Sequence, residues 1–359
     1  MLDQLVGNEP VKKLLRGMLE ARRTPGAMLF TGEEGIGKRL FALEIAKALN
    51  CREPHGAEAC GRCPSCVRIS RFNYPQSQES DDWKGIIWTD HPDVGMVTAP
   101  KRVLLVEQMR AIEREANFRP YEGKARVFLI DDADKLNAPS ANALLKVLEE
   151  PPDTSYIVLL TARPAMLLST VLSRCQMIRF PPLTASEIQT HLLQNKIAGA
   201  RESRIRSRVA RGSLGRAIEA GFDTFIEQRA AMLKVLEALA AGDDRIQLLR
   251  SAEELNAAAV KDEYESRLDI LEMLIRDAWM LSLHAPEESI VNDDLLPQLV
   301  RISKSLDNRR PGGWISQIEE MREQLIVNIN RKASTDALFL TMASSSSSTL
   351  VPKRRFLIK

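Results

Sequence analysis

Residues 32–39 read Gly32-Glu33-Glu34-Gly35-Ile36-Gly37-Lys38-Arg39, the phosphate-loop pattern G-x-x-x-x-G-K-[ST] with only its last position changed. Such a loop dictates what surrounds it. Backbone N–H groups converge on phosphate only when a strand delivers the chain to a glycine turn and a helix leaves it. An apolar run at 27–30 precedes the turn, and Phe41, Ile45, Ala48 and Leu49 share one helical face after it. The last position normally carries the hydroxyl that holds Mg²⁺. Arg39 is instead a fixed cation with no lone pair to give. A positive charge there allows weak or metal-independent nucleotide binding. Efficient hydrolysis is not expected, because metal neutralises charge on the transferred phosphoryl group. Gly32, Gly35, Gly37, Lys38 and Arg39 are therefore read as a degenerate nucleotide site.

Further apolar runs at 127–130, 156–160 and 177–180 suit buried parallel strands. Helical patterns separate them. One, carrying Leu144, Leu145 and Leu148, is stopped by Pro151-Pro152. Strands alternating with helices predict a three-layer α/β domain with a parallel sheet over residues 1–180. Pro181-Pro182 marks a boundary. Thr184-Ala185-Ser186-Glu187 is a capping box that opens a small, arginine-rich helical domain at 181–221. The stretch 222–343 reads as all-helical. Leu268, Leu271, Leu274, Ile275, Ala278 and Leu281 form one stripe within it, and Arg309-Arg310-Pro311-Gly312-Gly313 forms a break. A serine run and a basic end at 344–359 predict a disordered tail.

The second apolar run ends in Asp131-Asp132-Ala133-Asp134. Carboxylates at the end of a hydrophobic strand form the Walker B arrangement, in which Asp131 would support Mg²⁺. Asp132 stands where motor ATPases carry a glutamate, one methylene longer. Cys51, Cys60, Cys63 and Cys66 have the spacing C-x8-C-x2-C-x2-C within one polar insertion at about 51–66. Four thiolates satisfy tetrahedral Zn²⁺ with no open position, which makes a structural site. His55 is an alternative ligand that four cysteines make unnecessary, and Cys175 reads as packing. Leu167, Leu168, Val171 and Leu172 form an apolar face that places Arg174 at a helix end.

The chain has 359 residues and a net charge of +2, which excludes a strongly basic, histone-like binder but leaves room for a local basic patch. No stretch has signal-peptide layout and no apolar run is long enough to span a bilayer, so a cytoplasmic protein with reduced thiols and no membrane partner is expected.

Together, residues 32–39, the four-cysteine insertion, His91-Pro92-Asp93, Ile130-Asp131-Asp132-Ala133-Asp134, the run from Asn142 to Pro152 with its Leu148-Glu149-Glu150-Pro151-Pro152 end, Ser173-Arg174-Cys175 and Gly212-Ser213-Leu214-Gly215 resemble the clamp-loader branch of the AAA+ family. The resemblance covers roughly residues 1–220. It implies an AAA+ core with a helical lid and an all-α collar that joins five subunits. It also implies gamma/tau and delta subunits as partners in a hetero-pentamer, with the sliding clamp and primer-template DNA engaged through the complex. Within a DNA-directed DNA polymerase holoenzyme, Arg174 would reach a neighbour's ATP as an arginine finger in trans, and Thr161 would hold the sensor position. ATP-hydrolysing relatives usually carry an arginine where this chain has Gly215. Arg39, Asp132 and Gly215 together therefore point to a non-hydrolysing stator with structural Zn²⁺ and with ATP/Mg²⁺ binding weak or absent. An ATP-hydrolysing motor subunit of gamma/tau type and a free-standing zinc-containing DNA-binding module are the alternative readings.

Overall fold

The strand ahead of the phosphate loop, β1 (Ala27–Thr31), is buried along its whole length in the computed structural model. Successive side chains of a strand face opposite ways, so both faces of β1 need cover. Ala27 and Leu29 enter one apolar cluster, while Met28 and Phe30 enter another on the opposite side. Only a sheet with helices on both faces satisfies that pattern. The structure describes residues 1–75, 81–100, 102–219, 221–242, 244–257, 263–325 and 330–344. The predicted tail beyond Ser344 lies outside the described residues.

Two units make up the chain, Met1–Glu219 and Ala220–Lys359. In the first, the chain runs through α1 (Glu9–Glu20), β1, α2 (Lys38–Asn50), α3 (Pro64–Ile69), β2 (Ile87–Trp88), β3 (Val94–Val97) and α4 (Val106–Ala116). It continues through β4 (Arg126–Ile130), α5 (Ala138–Glu149), β5 (Ser155–Thr161), α6 (Ser169–Leu172) and β6 (Gln176–Arg179). The strand order is β2-β3-β4-β5-β1-β6, and all pairs are parallel except β2 with β3. The expected α/β core with its parallel sheet is thus present. Sequence periodicity missed β2 and β3. They are short, and Gly95 interrupts the second. That glycine sits opposite Trp88 in the ladder, and a Cβ on it would run into the Trp88 ring and Ile86. The strand expected at 177–180 is an edge strand with Met177 exposed, while Phe180 just beyond it packs its ring on Phe30 and Phe41. Leu168 is also exposed, whereas Leu167 and Val171 pack beneath the sheet as expected.

The unit closes with α7 (Ala185–Gln194), α8 (Ala200–Val209) and α9 (Leu214–Glu219). The capping box is formed: Thr184 N–H donates to Glu187 Oε2 at 2.8 Å, and Glu187 N–H returns to Thr184 Oγ1 at 3.2 Å. Leu183, Ile188, Leu192, Ala210 and Ala217 bury one small core among these helices.

The second unit is helical throughout its described residues: α10 (Phe222–Ala241), α11 (Arg245–Leu255), α12 (Tyr264–Ser282), α13 (Leu296–Ser303), α14 (Arg310–Leu325) and α15 (Arg331–Ser344). The α12 stripe of Leu268, Leu271, Leu274, Ile275 and Ala278 lies in the core with Trp314 and Phe339. The expected break at 309–313 is instead the first turn of α14. Proline is tolerated there because its missing N–H would have no helical partner, and Gly312 leaves room for the Trp279 ring.

A buried polar knot fastens β3 to β4. Asp93 has no exposed surface and accepts N–H bonds from Tyr121 (2.6 Å), Glu122 (3.0 Å) and Gly123 (2.8 Å). Arg126, equally buried, lies beneath the Trp88 and Tyr121 rings and donates to Glu115 Oε2 at 2.8 Å. The His91-Pro92-Asp93 triplet is thus a structural tie. Asp93→Ala strands three donors and a buried arginine, and is expected to cost about 3 kcal/mol. A urea midpoint lowered to that extent, with Asp93→Asn intermediate, is the expected measurement.

Candidate functional site

The phosphate loop starts where β1 ends, and Gly32, Gly35 and Gly37 take φ of 150°, 75° and 97°. Gly37 caps α2, so Lys38 and Arg39 are its first two residues. Lys38 Nζ bends back to donate to the carbonyls of Gly32 and Glu33, both at 2.7 Å. Burial lowers the Lys38 pKa, opposed by the nearby Asp131. The loop's cation is thus satisfied by the loop itself.

Arg39 points across the sheet edge. Its Nη1 lies 3.5 Å from Asp131 Oδ2, at the carboxyl end of β4. Burial raises the Asp131 pKa and the Arg39 charge opposes that rise. The guanidinium therefore stands against the carboxylate that a metal would otherwise occupy. Asp132 adopts left-handed backbone at φ 51°, and its carboxylate pairs with Lys135 Nζ at 2.7 Å. Thr161, at the end of β5, is buried, and its hydroxyl donates to Asp134 Oδ1 at 2.7 Å. Burial would raise the Asp134 pKa, but the Thr161 and Arg163 donors outweigh it and hold it low. The Asp134–Thr161–Arg163 arrangement carries no local sequence signal.

The lid touches the loop through two glycines. Gly215 N–H donates to Gly35 O at 2.8 Å. A Cβ on Gly215 would lie 2.9 Å from Gly35 Cα, and one on Gly35 would strike the Ser213 hydroxyl. Neither position accepts a side chain without the two backbones separating. Gly215 thus has a packing role in addition to being the place where an arginine is missing.

The four predicted cysteines come together. Cys51 follows α2, Cys63 caps α3 and Cys66 lies in its first turn. All four are buried, and their Sγ atoms lie within 4.8 Å of one another. The Cys51 and Cys63 sulfurs are 3.9 Å apart, far beyond a disulfide and close to the roughly 3.8 Å edge of a tetrahedron with Zn–S bonds. The N–H groups of Cys60 and Cys63 donate to the sulfurs of Cys51 and Cys60, both at 3.3 Å. Burial pushes the Cys66 thiol up; it does the same to Cys63, but the N–H groups of Arg52 and Cys66 prevail and hold Cys63 at about 6. The set fits one closed, thiolate-bound metal ion. His55 instead pairs in a small bridge with Glu58.

Arg174 follows the C-cap of α6. Its Nε donates to Glu149 Oε1 at 2.7 Å, Nη2 reaches the same oxygen, and Nη1 donates to Thr170 O at 2.9 Å. Glu149, the last residue of α5, was not singled out from sequence. Twenty-five positions separate the pair, so no local pattern reports it.

Among known proteins, the family described as DNA polymerase III, delta subunit, matches residues 7–184, and the family of that subunit's own carboxy-terminal region matches 223–334. The chain is 28% identical over 333 residues to DNA polymerase III subunit delta' of Bacillus subtilis, covering 92% of this chain and 95% of that protein. It is 34% identical over 188 residues to subunit tau/gamma of Haemophilus influenzae, covering 52% of this chain and 25% of that protein. It is 32% identical over 247 residues to subunit tau of Escherichia coli, covering 67% of this chain and 33% of that protein. The chain thus spans only a quarter to a third of these tau and tau/gamma relatives.

Gly215→Ala should force the lid off the loop at a cost of about 1–3 kcal/mol. Hydrogen exchange is expected to quicken across 213–219 while β1 keeps its protection.

Proposed function

Because the chain belongs to the DNA polymerase III delta-subunit family and is a clamp-loader subunit, we propose that it acts as a non-hydrolysing stator that completes a neighbour's ATP site through Arg174. The single observation that carries this reading is the Arg39–Asp131 pair, a built-in cation against the carboxylate where Mg²⁺ would be held. Lys38 is engaged with loop carbonyls and the Thr161 hydroxyl with Asp134. For ATP to bind productively, each of these contacts has to break before any phosphate is gained. When Mg²⁺-ATP is bound, the metal supplies neutralisation of phosphoryl charge, and Asp131 would be its ligand here. The geometry supports weak or absent binding.

The partners in this reading are the gamma/tau and delta subunits, assembled with this chain into a hetero-pentamer that loads the sliding clamp on primed DNA. The helical unit serves as the joining collar. The domain assignment is the AAA+ core at 1–180, the lid at 181–221 and the collar at 222–343. The protein works in the cytoplasm; among the described residues no helix is long and apolar enough to cross a membrane.

The four-cysteine set holds structural Zn²⁺ in this proposal. Softness of the thiolates and the closed donor set favour that ion. Metal analysis of the purified chain is expected to give about one zinc per chain. Cys63→Ser should lose both the metal and part of the thermal stability, and a metal-free chain of normal stability would refute the assignment.

An arginine finger is worth roughly 10³–10⁵ in turnover at its site. Arg174→Ala should therefore silence the neighbour's site and remove its share of DNA-stimulated ATP hydrolysis by the reconstituted complex, with assembly intact. Unchanged turnover sinks the finger, and tight Mg²⁺-dependent ATP binding by the isolated chain sinks the stator.

A further inference from the structure

Arg174 is not idle in the free protein. Every nitrogen of its guanidinium meets an acceptor of the same chain: Nε and Nη2 share Glu149 Oε1, and Nη1 donates to Thr170 O at 2.9 Å with Ser173 Oγ at 3.4 Å. Two of these acceptors sit at helix C-termini. Glu149 ends α5, where Pro151-Pro152 forbids another turn, and Thr170 belongs to the short α6. Exposed carbonyls there carry partial negative charge that adds to the Glu149 carboxylate. The cation is thus parked on an acidic seat.

We propose that Glu149 is a latch for Arg174: a positioning residue that holds the guanidinium in the unassembled or idle state and competes with the neighbour's nucleotide phosphate for it. This rests on the finger reading above. The competition follows from donor geometry. A guanidinium presents its donors in one plane and recognises carboxylate and phosphate with the same fork. Nη2 cannot serve Glu149 and a phosphate oxygen in the same orientation. A carboxylate left beside the incoming phosphates would also repel them, so engagement requires the pair to part.

The latch is built to open. Glu149 keeps 48% of its side-chain surface exposed and Arg174 keeps 31%. Water and salt screen such a pair, which biases its geometry by only a few-fold. The device sets a threshold without locking the finger away.

The test uses the reconstituted complex with Glu149→Gln, Arg174→Ala and the double variant, with ATP hydrolysis measured with and without primed DNA. Glu149→Gln keeps the shape and removes the charge. It is expected to raise DNA-independent hydrolysis about two- to fivefold, with thermal midpoint and assembly unchanged. The stimulation ratio should fall accordingly. In the Arg174→Ala background the same change should do nothing, since the latch has lost what it holds. A purely structural Glu149 would move the melting temperature and would act in both backgrounds, which overturns the latch. Unchanged or reduced basal hydrolysis in Glu149→Gln, with Arg174→Ala still defective, overturns the latch and leaves the finger standing. No effect of Arg174→Ala overturns both.

Discussion

A carboxylate at the end of a central buried strand must have a cation, and the nucleotide face of this protein is arranged around which cation Asp131 has. Burial alone would drive Asp131 toward its neutral form. In a metal-dependent phosphate loop the compensating charge arrives with the nucleotide, so the empty loop stays open to it. Here Arg39 brings the charge on the first turn of α2. Lys38 is then free to satisfy the carbonyls of Gly32 and Glu33, and the turn becomes self-contained. Gly35 and Gly215 complete the change, because only two glycines let the lid backbone bond directly to the loop. The Walker fold persists with its ligand-binding groups turned inward.

What could be read from the sequence follows from where the determining contacts lie. The strands β1, β4 and β5 were legible because parallel strands covered on both faces must be apolar at nearly every position. The short β3 was not, since Gly95 is explained by Trp88 on the adjacent strand. The cysteine set was legible because metal ligation fixes spacing within a single loop. At the nucleotide face the chemistry of Arg39 was visible, but its partner was not, because α2 and β4 meet only in the folded sheet. The Thr161 hydroxyl illustrates the same limit: its position was foreseen, and the carboxylate that engages it was not.

The cysteine module shows how little apolar material a closed ligand set requires. Its core consists of the four cysteines and Ala59. Such a segment cannot repay its ordering entropy by burial. It is fastened instead by ionic and backbone contacts at its rim. Arg16 pairs with Glu58, and the Leu2 N–H reaches Glu58 Oε2 at 3.2 Å. On the other side Arg68 donates to Asp90 O at 2.9 Å and to Glu122 Oε1 at 2.6 Å. A metal ion at the centre would supply the stability that the small core lacks.

Arg39 and Arg174 put one side chain to opposite uses, and burial of the acid decides which. Asp131 is the less exposed carboxylate, at 27% against 48% for Glu149. Removing Arg39 would leave a largely desolvated acid unpaired, a state that costs far more than the pair itself contributes. Glu149 can return to water when Arg174 leaves, and loses little. An arginine facing a buried acid is therefore held by the cost of departure. One facing a hydrated acid is available to any better anion that comes within reach. The same guanidinium chemistry thus gives a fixed counter-ion inside the nucleotide site and an exchangeable one at the surface.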